Sequence, residues 1–107
     1  MQTLDLALLT QNRVAMLTGH ERGVQARDFF HLDDLEQQDE EVTIVAPADL
    51  DTITPSFVQG FLARSVHRLG SDRVYRKYNL GQLPQTLRDD IEIGVKRILL
   101  REKALKN

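Results

Sequence analysis

The residues best placed to do chemistry lie in the stretch 51-DTITPSFVQGF-61. Three hydroxyls there, Thr52, Thr54 and Ser56, surround Pro55 as an apolar run begins. Two uses fit this arrangement. Thr54 has the side chain of a helix N-cap, because its hydroxyl can accept from an amide of the first turn. Pro55 suits the first helical position, where its missing N–H would have no partner. Capping leaves Ser56 and Thr52 unexplained. A helix start also favours a phosphate, through the dipole and the free amides. Phosphorylation would add roughly −1.5 to −2 charge to the junction and change which partner it attracts. Asp51, Thr52, Thr54 and Ser56 are therefore candidate phosphoacceptor or partner-binding residues.

A second candidate is 18-TGHERG-23, a glycine-bracketed loop ahead of a helix. Such a turn can hold an anion on free backbone N–H groups. Gly19 and Gly23 would shape the cradle, and Arg22 and Arg27 would supply charge. The run lacks both the lysine and hydroxyl of GxxxxGK[ST] and the spacing of GxGxxG. The plainer reading is two glycines shaping a connection. His20, His31 and His67 stand in no metal-ligand spacing such as HExxH and read as surface or boundary positions. The acids of 33-DDLEQQDEE-41 lack the alternating oxygen ligands and turn glycine of a calcium loop, so they read as a solvated acidic face. No catalytic signature stands out, and the chain reads as a binding module with no cofactor and no metal, not as an enzyme.

The bulk numbers agree with that reading. A chain of 107 residues, 41% hydrophobic and 28% charged, has the balance of one small globular domain. It has no cysteine, which rules out disulfides and thiolate metal sites and fits a reducing compartment. No apolar run reaches the roughly 18 residues of a membrane span. The first residues, MQTLDLALLTQ, have no basic n-region and do not read as a signal peptide. The expected location is therefore the cytoplasm. A net charge of −2 argues against broad nucleic-acid binding, which needs a concentrated basic face.

The elements that must position these residues follow from patterning. Residues 3-TLDLALLT-10 and 13-RVAML-17, joined by a turn at Gln11-Asn12, read as an N-terminal hairpin over 1–18. The segment 24–38 is compatible with a helix, with Ala26, Phe29 and Phe30 on one face, and 36-EQQDEE-41 follows as a solvated connection. The run 42-VTIVA-46 reads as a strand buried on both faces. After a loop over 47–54, a helix opens at Pro55 and ends at Gly70. A short edge strand over 74–80 is expected next, because Arg76 and Lys77 discourage further pairing. A terminal helix spans roughly 84–104, with Leu87, Ile91, Val95, Ile98 and Leu99 on one face. The fold class expected is α/β, with a body over 19–107. About three helices would pack on a mixed, largely parallel sheet of about four strands.

The succession 42-VTIVA-46, 50-LDTITPSFVQGFLAR-64 and 74-VYRKYNL-80 resembles the STAS-like domains of unknown function, relatives of the STAS domains of anti-sigma factor antagonists. Leu50, Ile53, Thr54, Pro55, Ser56 and Phe57 match the family's strand-to-helix junction, and 23-GVQAR-27 its Gly-and-Arg segment. The resemblance covers about residues 19–100. This chain departs from the antagonists by placing Pro55 within their Asp-Ser-Ser-Gly-like run, and by Ala46-Pro47 where an acid ends the strand. The resemblance implies a regulatory protein-interaction module whose Ser or Thr at the helix start is phosphorylated by a partner, a kinase-like ATPase or other regulator. The other classes left open are a nucleotide- or anion-responsive domain and a structural subunit of a larger assembly, including a homo-oligomer.

Overall fold

The structure, a computed structural model, describes residues 2–11 and 13–105. Strand β1 (Gln2–Asp5) is short because Asp5 turns the chain: its carboxylate accepts the Ala7 N–H at 2.9 Å, which opens the single turn of α1 (Ala7–Thr10). Gln11, with φ 49°, closes that turn in the left-handed region. The expected hairpin over 1–18 is therefore corrected. Residues 3–10 are half strand and half helix, and Asn12 of the expected turn lies outside the described residues. Strand β2 (Met16–Leu17) does not return along β1 but joins a different sheet. Leu4 and Leu6 explain the preference, since both are buried and Leu6 N–H extends the pairing to Val45 C=O at 2.9 Å.

Helix α2 (His20–Phe29) begins where a loop was expected, with Gly19 as N-cap at φ 90° and Gly23 inside it. The chain then breaks at His31, φ 56°, before the single turn of α3 (Leu32–Leu35). The continuous helix expected over 24–38 is thus two pieces. The break lets Leu32 bury completely and turns Asp33 and Glu36 back toward α2.

Strand β3 (Val42–Val45) is central in a parallel three-stranded sheet, β1-β3-β5, which fits its apolar sequence. Strand β4 (Thr52–Ile53) lies inside the expected loop and pairs in parallel with β2, matching Met16 to Thr52 and Leu17 to Ile53. The sheet is thus divided, three strands and two, all parallel, in place of one mixed sheet. The α/β class holds. Helix α4 (Pro55–Leu69) opens and closes as its sequence predicts. The expected strand over 74–80 is mostly helix: Gly70, φ 81°, ends α4 and caps α5 (Ser71–Lys77), leaving only β5 (Tyr78–Asn79) extended. Arg76 and Lys77 in its last turn complement the helix dipole, and Val74 anchors it in the core. Helix α6 (Gln85–Leu105) buries Leu87, Ile91, Val95 and Ile98, whereas Leu99 lies at the exposed margin of that face.

Helix α4 is the keystone of the helical layer. It crosses α2 at Gly23 and Gly60, so closely that a Cβ on Gly23 would lie 2.1 Å from Phe57 O and one on Gly60 2.0 Å from His20 O. On its other side Gly94 of α6 meets Val58, where a Cβ would stand 2.4 Å from the valine. A helical glycine costs about 1 kcal/mol against alanine. Close backbone approach, with Phe57, Val58, Phe61, Leu62 and Val66 all buried around it, offsets that cost.

Candidate functional site

The start of α4 is held by its own cap and by two neighbouring elements, β2 and α6. Thr54, in extended conformation (φ −73°, ψ 154°), accepts the Phe57 N–H on its Oγ1 at 3.3 Å, the N-cap expected of it. Its own N–H donates to Leu17 C=O of β2 at 2.9 Å, and Oγ1 lies 3.4 Å from that same carbonyl. Asp51 and Thr52 amides donate to Ala15 C=O at 2.7 and 3.3 Å. From α6, the Asp90 carboxylate accepts the Ile53 N–H at 3.0 Å. The junction is therefore held by β2, α4 and α6 together.

The four candidate residues on this junction differ in availability. Thr54 is committed to the cap and partly buried, and Thr52 is half-buried in β4. Asp51 is exposed ahead of β4. Ser56 is exposed in the first turn of α4, and its Oγ lies 3.1 Å from Thr54 Oγ1. A group added to Ser56 would project into solvent at the positive end of a 15-residue helix, with no buried contact to break.

The four residues of the second candidate do not converge. Gly19 caps α2, and its carbonyl accepts the Gly23 N–H at 3.1 Å. Gly23 is buried against α4. Arg22 is exposed, and Arg27 sits in the last turn of α2, about 12 Å along the axis from Gly19. The Arg27 side chain is only 4% exposed and faces carboxylates.

Around Arg27 lies the densest polar cluster of the described residues, and sequence reasoning missed it. Nη1 donates to Phe61 C=O at 3.0 Å and to Ser65 Oγ at 2.6 Å. Nη2 donates to Asp33 at 2.6 Å and to Glu36 Oε1 at 3.3 Å. Ser65 and Tyr78 hydroxyls both donate to Glu36 Oε2, the tyrosine at 2.5 Å. The Glu36 side chain is 0% exposed. The expected solvated acidic face is thus corrected at this residue, because Arg27, Ser65 and Tyr78 replace water around it. Asp33 also receives Arg64 and Arg68 at 3.3 and 3.2 Å. The Arg27 hydrogen bond holds the Asp33 carboxyl below its ordinary range, with burial opposing and the charges of Arg27, Arg64 and Arg68 assisting. Burial, followed by the bond to Glu36, pushes the Tyr78 phenol well above its ordinary value. A serine beside a carboxylate invites a nucleophilic reading, but Ser65 is completely buried and meets no solvent. The cluster ties α2, α3, α4 and β5 together.

The three histidines are exposed, as expected. His67 Nδ1 stands 3.5 Å from Glu102 Oε1, and no group of three metal-ligating side chains forms among the described residues. A groove of about 480 Å³ opens between α1, β2 and α2. Leu8 and Phe29, each 56% exposed, stand on it with Val14 and Met16. It adjoins the α4 start, because Leu17 and Phe57 line it too. Only the clustering of apolar residues in 4–17 hinted at this, and that pattern reads equally well as a hairpin. No helix of the described residues is long and apolar enough to cross a membrane. Comparison with family models, with curated proteins and with solved structures finds no match for this chain, so its fold and site stand on their own geometry.

Proposed function

We propose that this domain is a non-enzymatic regulatory module that binds a partner protein at the start of α4, with Ser56 as the residue whose modification switches the binding. The observation that carries the reading is the division of labour between two adjacent hydroxyls. Thr54 is consumed by the helix cap, while Ser56, 3.1 Å away, is exposed at the helix N-terminus. A phosphate on Ser56 gains from the helix dipole and the first-turn amides. It would change the charge of the junction without asking any buried group to move. The STAS-like resemblance of 53-ITPSF-57 supports the same reading, and a kinase-like partner would supply the phosphate.

The test compares wild type with Ser56→Asp, Ser56→Ala and Thr54→Ala in a pull-down from native lysate read by mass spectrometry, followed by affinity measurement on the recovered partner. Ser56→Asp should change that affinity severalfold while Ser56→Ala retains it. Thr54→Ala should weaken folding more than binding. Unchanged affinity across the Ser56 series would remove the switch and leave 53-ITPSF-57 as a helix start alone.

A further inference from the structure

We propose that the groove between α1, β2 and α2 docks an extended segment of a partner protein in which apolar side chains alternate with carboxylates, laid as an added strand along β2. Three observations converge on this occupant. The first is apolar surface. Leu8, Val14, Met16 and Phe29 are all large, all at least 40% exposed, and all on one groove. A contiguous exposed patch of this kind marks an interaction site.

The second is backbone. The carbonyls of Ala15 and Leu17 point toward β4, where Thr52 and Thr54 amides reach them. In a parallel ladder alternate residues face opposite edges, so the N–H and C=O of Met16 point away from β4. No described residue is hydrogen-bonded to them there. An open edge beside an apolar groove is what strand addition uses: main-chain bonds supply affinity and side-chain pockets supply selectivity.

The third is charge. Among the described residues the only charged side chains lining the groove are Arg13 and Arg22, both exposed. The chain as a whole is net −2, so the groove has the opposite sign to its surroundings. Carboxylates on the docked segment would meet these two arginines, while its apolar side chains cover Phe29 and Met16. Arginine is suited to this because its planar fork matches a carboxylate in two bonds. This docking does not depend on whether Ser56 is modified.

The probe is a short fluorescein-labelled peptide alternating glutamate with valine, titrated by fluorescence anisotropy. Three controls accompany it: the same peptide with lysine for glutamate, the same peptide N-methylated at alternate residues, and a single-stranded oligothymidine. The glutamate peptide should bind saturably and lose affinity with added salt. Arg13→Glu/Arg22→Glu, which alters only exposed side chains, should weaken it by about tenfold or more. Met16→Glu, checked for folding by circular dichroism, should weaken it similarly, and both the N-methylated and lysine peptides should fail. Four results would each overturn the proposal. They are no saturable binding of the glutamate peptide, equal binding of the lysine or N-methylated peptide, indifference to the double charge reversal, and equal binding of the oligothymidine, which would reveal a general anion patch.

Discussion

Replacing Glu36 with alanine tests whether the buried polar cluster is the clamp that joins α2, α3, α4 and β5. The wild-type carboxylate is fully buried, with Oε1 3.3 Å from Arg27 and Oε2 accepting from both Ser65 and Tyr78. Deletion leaves the Arg27 guanidinium with Asp33 as its one carboxylate and strips two hydroxyls of their acceptor. Removing one partner of a buried ion pair costs about 3–5 kcal/mol. Each buried hydroxyl left without its acceptor adds about 1–3 kcal/mol. Water entering the vacated space offsets part of this, so a net loss of about 4 kcal/mol is expected. Unfolding entropy of about 2.1 cal/mol/K per residue over 107 residues makes each kcal/mol worth about 4 °C, so Tm should fall by about 16 °C. Urea titration and thermal melts followed by circular dichroism at neutral pH read the loss directly. A double-mutant cycle sharpens the test. Tyr78→Phe should cost about 1 kcal/mol in the wild type and be neutral or stabilising beside Glu36→Ala, where it removes a hydroxyl whose acceptor is already gone. A loss under about 1 kcal/mol for Glu36→Ala, or strict additivity in the cycle, would refute the clamp.

Gly60→Ala should destabilise by about 2 kcal/mol or more despite its better helix propensity, because the new Cβ meets the His20 carbonyl, a backbone atom that cannot step aside. Gly94→Ala should also destabilise, and Val58→Ala should not rescue it, since the Val58 Cβ that alanine keeps lies 2.4 Å from the new Cβ; urea midpoints of the two single variants and the double variant decide. Stability should decline as pH rises above about 10, because unfolded Tyr78 ionises near its ordinary value while the folded phenol, its pKa raised, keeps its proton. Burial raises Tyr75 in the same direction, so Tyr78→Phe should reduce this alkaline slope without abolishing it. Asp33 acts with the opposite sign: its pKa is lowered in the folded state, so its contribution is present above 3.8 and is lost as pH falls below that, a loss Asp33→Asn should lessen in acid titration. Thr54→Ala should cost about 1 kcal/mol through the lost cap, and Ser56→Ala less than about 0.5 kcal/mol, by the same melts.

The long helices were legible because their signals are local. Thr54-Pro55 at one end, Gly70 at the other, and the spacing of Phe57, Val58, Phe61 and Leu62 suffice to draw α4. The 42–46 strand was equally plain, since an apolar run bounded by proline suits the centre of a parallel sheet. The short elements were not legible, because tertiary contacts decide them. Residues 3–10 have leucines at spacings that serve strand and helix alike, and the Asp5 turn settles the matter. Residues 74–77 look extended by composition, yet Gly70 restarts a helix there. The two glycines of 18–23 carried a loop signal although Gly23 serves a helix crossing that involves Gly60, distant in sequence. The junction hydroxyls could be picked out from sequence, whereas the Arg27 cluster could not. Its members come from four separate elements, and nothing local announces that Glu36 will meet Tyr78.

The glycine contacts on both flanks of α4 have a mechanical consequence. With Gly60 against the His20 backbone and its own Phe57 carbonyl against Gly23 on one side, and Val58 under Gly94 on the other, this helix has little room to slide or rotate between its neighbours. A perturbation at its first turn cannot propagate as a displacement of the rod. On the proposed reading, a phosphate on Ser56 would be expressed where it lands, as altered charge and shape of the exterior. Under the proposed switch the domain would act as a rigid stamp whose face is re-inked, and its crystal structures with and without a phosphomimetic at Ser56 should superpose.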